Sequence, residues 1–233
     1  MTSEDRTVAI VGGTGALGSA LALQLAKAGI DVRVGSRRTE SAEETAAALT
    51  AQLEDATGRI SGHFNADAAG EAGIVFLTVP LAAQTDNLKA LKDALSPGQV
   101  LVDATVPLAP AIGGKPTRTV GLWQGSAAEQ AQELVPEGVV VVSALHSVSA
   151  VTLAELEPAA AEQDVLVMSD VKSAKARVAA LIDLIPGLRA VDGGRLEAAR
   201  IAEQLTALLI GLNIRYKTHA GVRFTDLPPR DWN

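Results

Sequence analysis

Cysteine does not occur among the 233 residues, which removes disulfides, thiolate catalysis, iron–sulfur clusters and cysteine-ligated zinc from the chemistry open to this chain. Histidine is nearly as scarce: three scattered copies suggest no protein-built metal site, and no metal is expected. Aromatic residues make up 3% and leave few platforms for stacking bases. Basic runs are absent and the net charge is −7, so nucleic acid is not expected as a partner. No apolar run reaches membrane-spanning length. Residues Met1 to Arg6 are polar, with no secretory segment, so the cytoplasm is the expected compartment. A G-x-S-x-G nucleophile motif is also missing and no carboxylate pair stands out, which leaves covalent hydrolysis without support.

Apolar residues, by contrast, make up 48%, enough for a substantial core of one α/β domain, or one with a small appendage. The most informative feature begins ten residues in. The run Val8-Ala9-Ile10-Val11 leads directly into Gly12-Gly13-Thr14-Gly15-Ala16-Leu17-Gly18. Gly13, Gly15 and Gly18 stand in the G-x-G-x-x-G frame, behind a strand and ahead of a helix. The first two glycines permit a tight turn and a close approach of backbone N–H groups to a pyrophosphate; the third permits close helix–strand packing. The helix N-terminus attracts the anion. The competing reading is a glycine-rich turn with no ligand, and the strand–turn–helix context favours binding.

Leu17, Leu21 and Leu25 form one apolar stripe on the helix that follows, which Gly29 closes. Strand Asp31 to Gly35 and a helix from Thr39 to about Glu54 complete a βαβα unit. Ile74 to Pro80, Val100 to Val102 and Val139 to Val142 are continuous apolar runs, as expected for parallel strands buried on both faces. Further strands are expected at Val165 to Met168 and Leu188 to Val191. Pro107 to Gly125 reads as a long loop, and Ser126 with Glu129 as a capping box. A final helix from about Arg195 to Tyr216 carries Leu205, Leu208, Leu209 and Leu212 on its apolar side, suited to a scaffold or a dimer contact. The alternation indicates an α/β fold with a doubly wound, mainly parallel Rossmann-type sheet. A Rossmann domain over residues 1–143 and a smaller, closely packed C-terminal part over 144–233 are expected.

One βαβ step after the glycines, where NAD-binding chains carry an acid for the ribose 2′-hydroxyl, this chain has Gly35-Ser36-Arg37-Arg38. Arg37 and Arg38 can neutralise a 2′-phosphate and Ser36 can donate to it, so NADP(H) is the expected nucleotide; the alternative is a solvated charge pair. Thr78-Val79-Pro80 ends a strand at the edge where open α/β sheets bind ligands. It either lines the cofactor or marks a strand terminated by Pro80. Ser143-Ala144-Leu145-His146 reaches the same edge, making His146 the best-placed titratable group, either a structural hydrogen-bonder or a proton-transfer residue. His63 is read as a loop residue without a charged partner, and His219 as part of the tail. Hydride transfer fits this scarcity of reactive side chains, because the cofactor carries the reactivity and the protein aligns donor and acceptor.

Gly12 to Gly18, Val34-Gly35-Ser36-Arg37-Arg38, Leu77-Thr78-Val79-Pro80 and Val142-Ser143-Ala144-Leu145-His146 together resemble the NADPH-dependent coenzyme F420 reductases, or F420H2:NADP+ oxidoreductases. The resemblance extends to Gly193-Gly194-Arg195-Leu196 through Arg200 and to Asn213 through Gly221. It implies a homodimeric oxidoreductase that moves hydride reversibly between nicotinamide C4 and deazaflavin C5, with NADP(H) and coenzyme F420 as its small-molecule partners. By that resemblance Thr14, Ser36, Arg37 and Arg38 hold the NADP(H) phosphates within the frame of Gly12, Gly13, Gly15, Ala16, Leu17 and Gly18. Thr78, Val79 and Pro80 border the nicotinamide, and Ser143, Leu145 and His146 approach the deazaflavin. Two alternatives accompany it: an NADPH-dependent reductase of another small acceptor (imine, ketone or flavin), and a non-catalytic NADP(H) sensor.

Overall fold

The computed structural model describes residues 6–53, 58–155, 163–228 and 232. Met1 to Asp5, most of the stretch read as a polar N-terminus, lie outside these residues, as does Glu54, the expected end of the second helix.

The apolar runs form the strands they suggest. β1 (Thr7–Val11), β2 (Asp31–Ser36), β4 (Ile74–Leu77), β5 (Val100–Asp103) and β6 (Val140–Ser143) lie parallel, with β3 (Ile60–Phe64) beside β2 at one edge. Sheet order is β3-β2-β1-β4-β5-β6-β7-β8. Successive residues of β1 serve opposite faces. Val8 and Ile10 pack with Leu21 and Leu25 of α1 (Ala16–Lys27) and Val178 of α7 (Lys172–Ile182). Ala9 and Val11 pack with Ala68 of α3 (Asn65–Gly70), Leu88 and Leu91 of α4 (Leu81–Leu91) and Ala128 of α5 (Ala127–Leu134). Helices therefore cover both faces, and α2 (Thr39–Thr50) flanks the edge strands.

Beyond β6 the chain changes direction. A short helix, α6 (Ala150–Ala154), packs over α1, where Gln24 Nε2 donates to the carbonyls of Leu153 at 2.8 Å and Glu155 at 3.2 Å. β7 (Gln163–Met168) then joins β6 antiparallel through a single residue pair, Ser143 with Met168, and β8 (Leu188–Gly194) runs parallel to β7. Because the two strands meet end to end, residues 163–167 project past the C-terminal edge of the parallel strands, by roughly 16 Å at strand rise. The tail closes onto that projection: Asp164 N donates to Val222 O at 2.7 Å.

Three local expectations change. His63 lies on β3, not in a loop, with Nε2 2.7 Å from Ser61 Oγ and Nδ1 3.4 Å from Arg33 Nη2, and Arg33 also pairs with Glu71 at 2.9 Å. The partners come from β2 and the end of α3, out of reach of local sequence; burial, then Arg33, pushes the imidazole below its ordinary range. Residues 107–125 are more ordered than an open loop: a 3-10 turn (Ala109–Ile112) and a bridge between Leu108 and Thr119 fold the segment on itself. The last helix, α8 (Ala199–Tyr216), follows a 3-10 turn over Leu196–Ala198 and buries Ala199, Ala202, Glu203, Ala207 and Leu209. Of the expected apolar side, Leu209 is buried, Leu205 and Leu212 are half-buried and Leu208 is 59% exposed, so that side is divided between the interior and the surface.

Candidate functional site

The glycine turn crosses the C-terminal end of β1 beside the point where the chain order reverses, with β2 on one side and β4 on the other. Gly12 has φ +79°, a conformation costly for any side chain, and a Cβ there would lie 2.7 Å from Val79 Cγ1. At Gly18 a Cβ would meet Gly12 O and Gly13 Cα, each at 2.7 Å, so α1 sits directly on the turn. Gly13 N donates to Ile10 O and Gly35 O, both 3.1 Å, joining the turn to the end of β2. Gly15 is different: its added Cβ would touch just one atom, Gly12 O at 3.2 Å, leaving its outer side open. As N-cap of α1, Gly15 has no capping side chain, and first-turn amides stay available to an anion. Thr14 is exposed at the tip, followed by Ala16 and Leu17 as the first helical residues.

Ser36, Arg37 and Arg38 follow at the end of β2. Both arginines are exposed. Arg38, the N-cap residue of α2, is held by Ser41 Oγ, 3.1 Å from Nε and 2.6 Å from Nη2, and its amide donates to Ser36 Oγ at 3.3 Å. Among the described residues, the end of β2 carries Ser36, Arg37 and Arg38 and no carboxylate, which would repel a 2′-phosphate.

Leu77, Asp103 and Ser143 are register partners across β4, β5 and β6, so the residues after them share one edge. Thr78 turns its hydroxyl back to the carbonyls of Val11 at 3.1 Å and Gly12 at 3.3 Å, clamping β4 to the turn, and Pro80 becomes the N-cap residue of α4. Two strands along, Leu145 has φ +71° while 1% exposed, an unusual backbone for a bulky residue and of the kind that clusters at functional sites. Ser143 Oγ and His146 Nε2 are both buried with no hydrogen-bond partner among the described residues. Burial pushes the His146 imidazole down to about 4, so near neutrality it is uncharged. Its backbone carbonyl accepts from Thr206 Oγ1 at 2.7 Å. The geometry brings the glycine turn together with Ser36–Arg38 and Thr78–Pro80, and sets Ser143–His146 two strands away on the same edge. His219 lies in the tail, its Nδ1 3.4 Å from Ser149 Oγ.

Sequence reasoning missed a buried acidic cluster behind this edge. Asp103, fully buried, accepts from Thr105 Oγ1 at 2.7 Å and Gln84 Nε2 at 3.2 Å; burial outweighs both bonds and pushes its carboxyl up to about 6. Glu203 on α8, 1% exposed, accepts from the amides of Ala127 at 3.0 Å and Ala128 at 3.2 Å. Burial, reinforced by the charges of Asp103 and Glu129, pushes it up to about 7. One signal was available: Asp103 ends an unbroken apolar run, where an acid is out of place unless partnered. Ser126 caps α5 as expected, accepting from Glu129 N at 3.0 Å. Among the described residues, no group of three His, Asp or Glu side chains gathers in a metal-binding arrangement, and no helix is long and apolar enough to cross a membrane.

Comparison with known proteins gives consistent matches. Residues 7–107 match the family model described as NADP oxidoreductase, coenzyme F420-dependent. The chain is 42% identical over 223 residues to the F420-dependent NADP reductase of Methanothermobacter marburgensis, covering 95% of this chain and 99% of that one. It is also 42% identical over 223 residues to the F420-dependent NADP reductase of Methanocaldococcus jannaschii, covering 94% and 98%. Among solved structures, one assigned as an F420-dependent NADP-reductase from Arthrobacter sp. FB24 superposes with a TM-score of 0.74 at 28% identity, over 91% of this chain and 95% of that chain.

Proposed function

Since the chain belongs to the F420-dependent NADP reductase family, we propose that its catalytic crevice lies between the glycine turn with Thr78–Pro80 on one side and Ser143–His146 on the other. The protein is an oxidoreductase that transfers hydride reversibly between NADP(H) and coenzyme F420. When bound, NADPH supplies hydride from nicotinamide C4 to deazaflavin C5, and a proton completes the reduction.

The chain's own contribution is binding and alignment. The open side of Gly15 and the uncapped first turn of α1 suit a pyrophosphate, cradled by Gly12, Gly13, Thr14, Ala16, Leu17 and Gly18. Ser36, Arg37 and Arg38 suit the 2′-phosphate. Thr78, Val79 and Pro80 border the nicotinamide, a reading supported by the closeness of Val79 to the glycine turn at Gly12. The observation that carries the acceptor side is the pair of orphaned buried atoms, Ser143 Oγ and His146 Nε2. A buried polar atom without a partner is costly, and a ring carrying carbonyl and N–H groups relieves that cost. A neutral His146 can accept from or donate to such a ring without adding charge beside the hydride, and Leu145 is anchored in the core beside it in sequence.

Residues 144–233 serve as the smaller part that completes the acceptor side, supported by the projection of β7 past the sheet edge. A homodimer fits the outward stripe of α8, with Ile201 and Leu208 each 59% exposed and Leu205 and Leu212 half-buried. Sedimentation of the wild-type chain against Leu208→Glu tests it, with a monomeric wild type as the contrary result. A chain without cysteine that uses free NADP(H) fits the cytoplasm. The activity is checked by mixing protein, NADPH and F420 and following loss of deazaflavin absorbance. Turnover of another acceptor with none of F420 would overturn the reading.

A further inference from the structure

Hydride transfer between two bound rings requires no buried carboxylate, yet among the described residues Asp103, Asp164 and Glu203 are all buried; Asp164 pairs with Arg189, whereas Asp103 and Glu203 are held by neutral donors. Gln84, Asp103, Thr105, Ser126 and Glu203 are each no more than 1% exposed. Burying a carboxylate is unfavourable unless rigid donors compensate, and apolar side chains of similar volume would serve packing as well or better. The donors present here come from the segments that flank the proposed crevice.

On one side, Thr105 donates to Asp103 at 2.7 Å while its hydroxyl lies 3.4 Å from the carbonyl oxygen of Val79. Gln84, from the first turn of the helix that starts right after Pro80, donates to the other oxygen of Asp103 at 3.2 Å. Gln84 also donates to Ala127 O at 2.9 Å and accepts from Gln130 at 2.7 Å, which fixes α4 to α5. On the other side, Glu203 straddles the amides of Ala127 and Ala128 and so ties α8 to the same end of α5. Three residues further along α8, on the same helical face, Thr206 donates to His146 O at 2.7 Å. A chain of polar contacts, buried at its centre and part-buried at both ends, thus runs from Val79 to Glu203, and one turn of α8 carries it on to His146.

We propose that Asp103 and Glu203 are positioning residues: together with Thr206 they form a buried brace that fixes the separation between the Thr78–Pro80 wall and the Ser143–His146 wall, and hence the distance over which hydride moves. The proposal rests on the assignment of those two walls made above. The brace touches neither ring and leaves the phosphate contacts of NADP(H) alone, so it acts on the rate of transfer and not on nucleotide affinity. Misplacement of reacting atoms by about 1 Å can cost on the order of 100-fold in rate.

The test compares wild type with Glu203→Gln, Asp103→Asn and Thr206→Val, and with Val79→Ala and His146→Ala as probes of the walls. For each, NADPH affinity is measured by fluorescence titration, kcat and KM by deazaflavin absorbance, and the primary isotope effect with NADPH deuterated at the transferred position. The brace variants are expected to lower kcat by about 10- to 100-fold, with NADPH affinity unchanged and a larger isotope effect as hydride transfer becomes the slow step. Wild-type kcat and isotope effect in folded brace variants would overturn the proposal, as would weakened NADPH binding with kcat intact. Should both carboxylate variants fail to fold, Thr206→Val, which leaves the two acids in place, decides alone. If Val79→Ala and His146→Ala alter neither kcat nor KM, the wall assignment fails and the brace with it; if they alter them and the brace variants do not, the brace alone fails.

Discussion

Two groups near the crevice titrate against their surroundings in opposite senses, and stability should record both. His146 is pushed from 6.5 to about 4, so between those values the unfolded chain binds a proton that the native chain refuses, and stability rises with pH across that window. The displacement corresponds to roughly 3 kcal/mol. Glu203 is pushed from 4.5 to about 7, so the native chain holds a proton that the unfolded one has lost, and stability falls as pH rises across that window, again by roughly 3 kcal/mol. Asp103, raised from 3.8 to about 6, acts in the same direction as Glu203. Opposed slopes partly cancel in the wild type, which is why single variants are informative. Urea unfolding of wild type, His146→Gln and Glu203→Gln from pH 4 to 8 at constant ionic strength separates them. Wild-type stability minus that of His146→Gln should climb by roughly 3 kcal/mol between pH 4 and 6.5 and then level. Wild type minus Glu203→Gln should descend by a similar amount between pH 4.5 and 7 and then level. Lost contacts shift each curve by a constant and leave its slope. Two flat difference curves, or two of the same sign, would refute the claim that burial dominates at both positions.

Replacing Arg37 and Arg38 by glutamate should weaken NADPH far more than NADH in parallel titrations; equal loss of both would sink the 2′-phosphate assignment. Ser143→Ala removes a buried hydroxyl that has no partner among the described residues, so thermal stability should hold or rise slightly while KM for F420 increases. A drop in melting temperature with unchanged KM would show that the hydroxyl serves the fold. Gly18→Ala sets a methyl group 2.7 Å from backbone atoms of Gly12 and Gly13 that have no room to yield. It should cost about 1–3 kcal/mol in urea unfolding and raise the NADPH dissociation constant; wild-type values for both would mean that α1 does not rest on the turn as described.

The parallel strands were legible because burial on both faces demands continuous apolar runs, and Ile74–Leu77 and Val100–Val102 have no other plausible use. The glycine turn was legible for a similar reason, since Gly12, Gly13 and Gly18 each answer a local steric demand. β3 was not: an edge strand reading Ile-Ser-Gly-His-Phe, partly exposed throughout, carries neither alternation nor an apolar run. The orientation of α8 was ambiguous because the helix has two usable faces. The small-residue face of Ala199, Ala202 and Ala207 packs inward together with Leu209, where close approach matters more than side-chain size, and Leu208 of the apolar side is left outside. Asp103 and Glu203 are separated by a hundred positions, and what joins them is the N-terminus of α5, a meeting set by tertiary packing alone. The orphaned state of Ser143 and His146 was equally out of reach, since a missing partner is visible once every neighbour is in place.

The end-to-end meeting of β6 and β7 limits how such a crevice can be altered by mutation. Side chains alternate along β7, with Val165 and Val167 packed on one face and Leu166 and Met168 on the other, so inserting one residue within the strand would exchange the two sets between faces that each fits only one of them. The reach of the C-terminal part over the sheet edge can therefore change through this strand in steps of two residues, roughly 7 Å each. A gap bridged by hydride tolerates no such jump. Finer adjustment of donor and acceptor falls to the segments on either side, where length and sequence can vary without reversing a face.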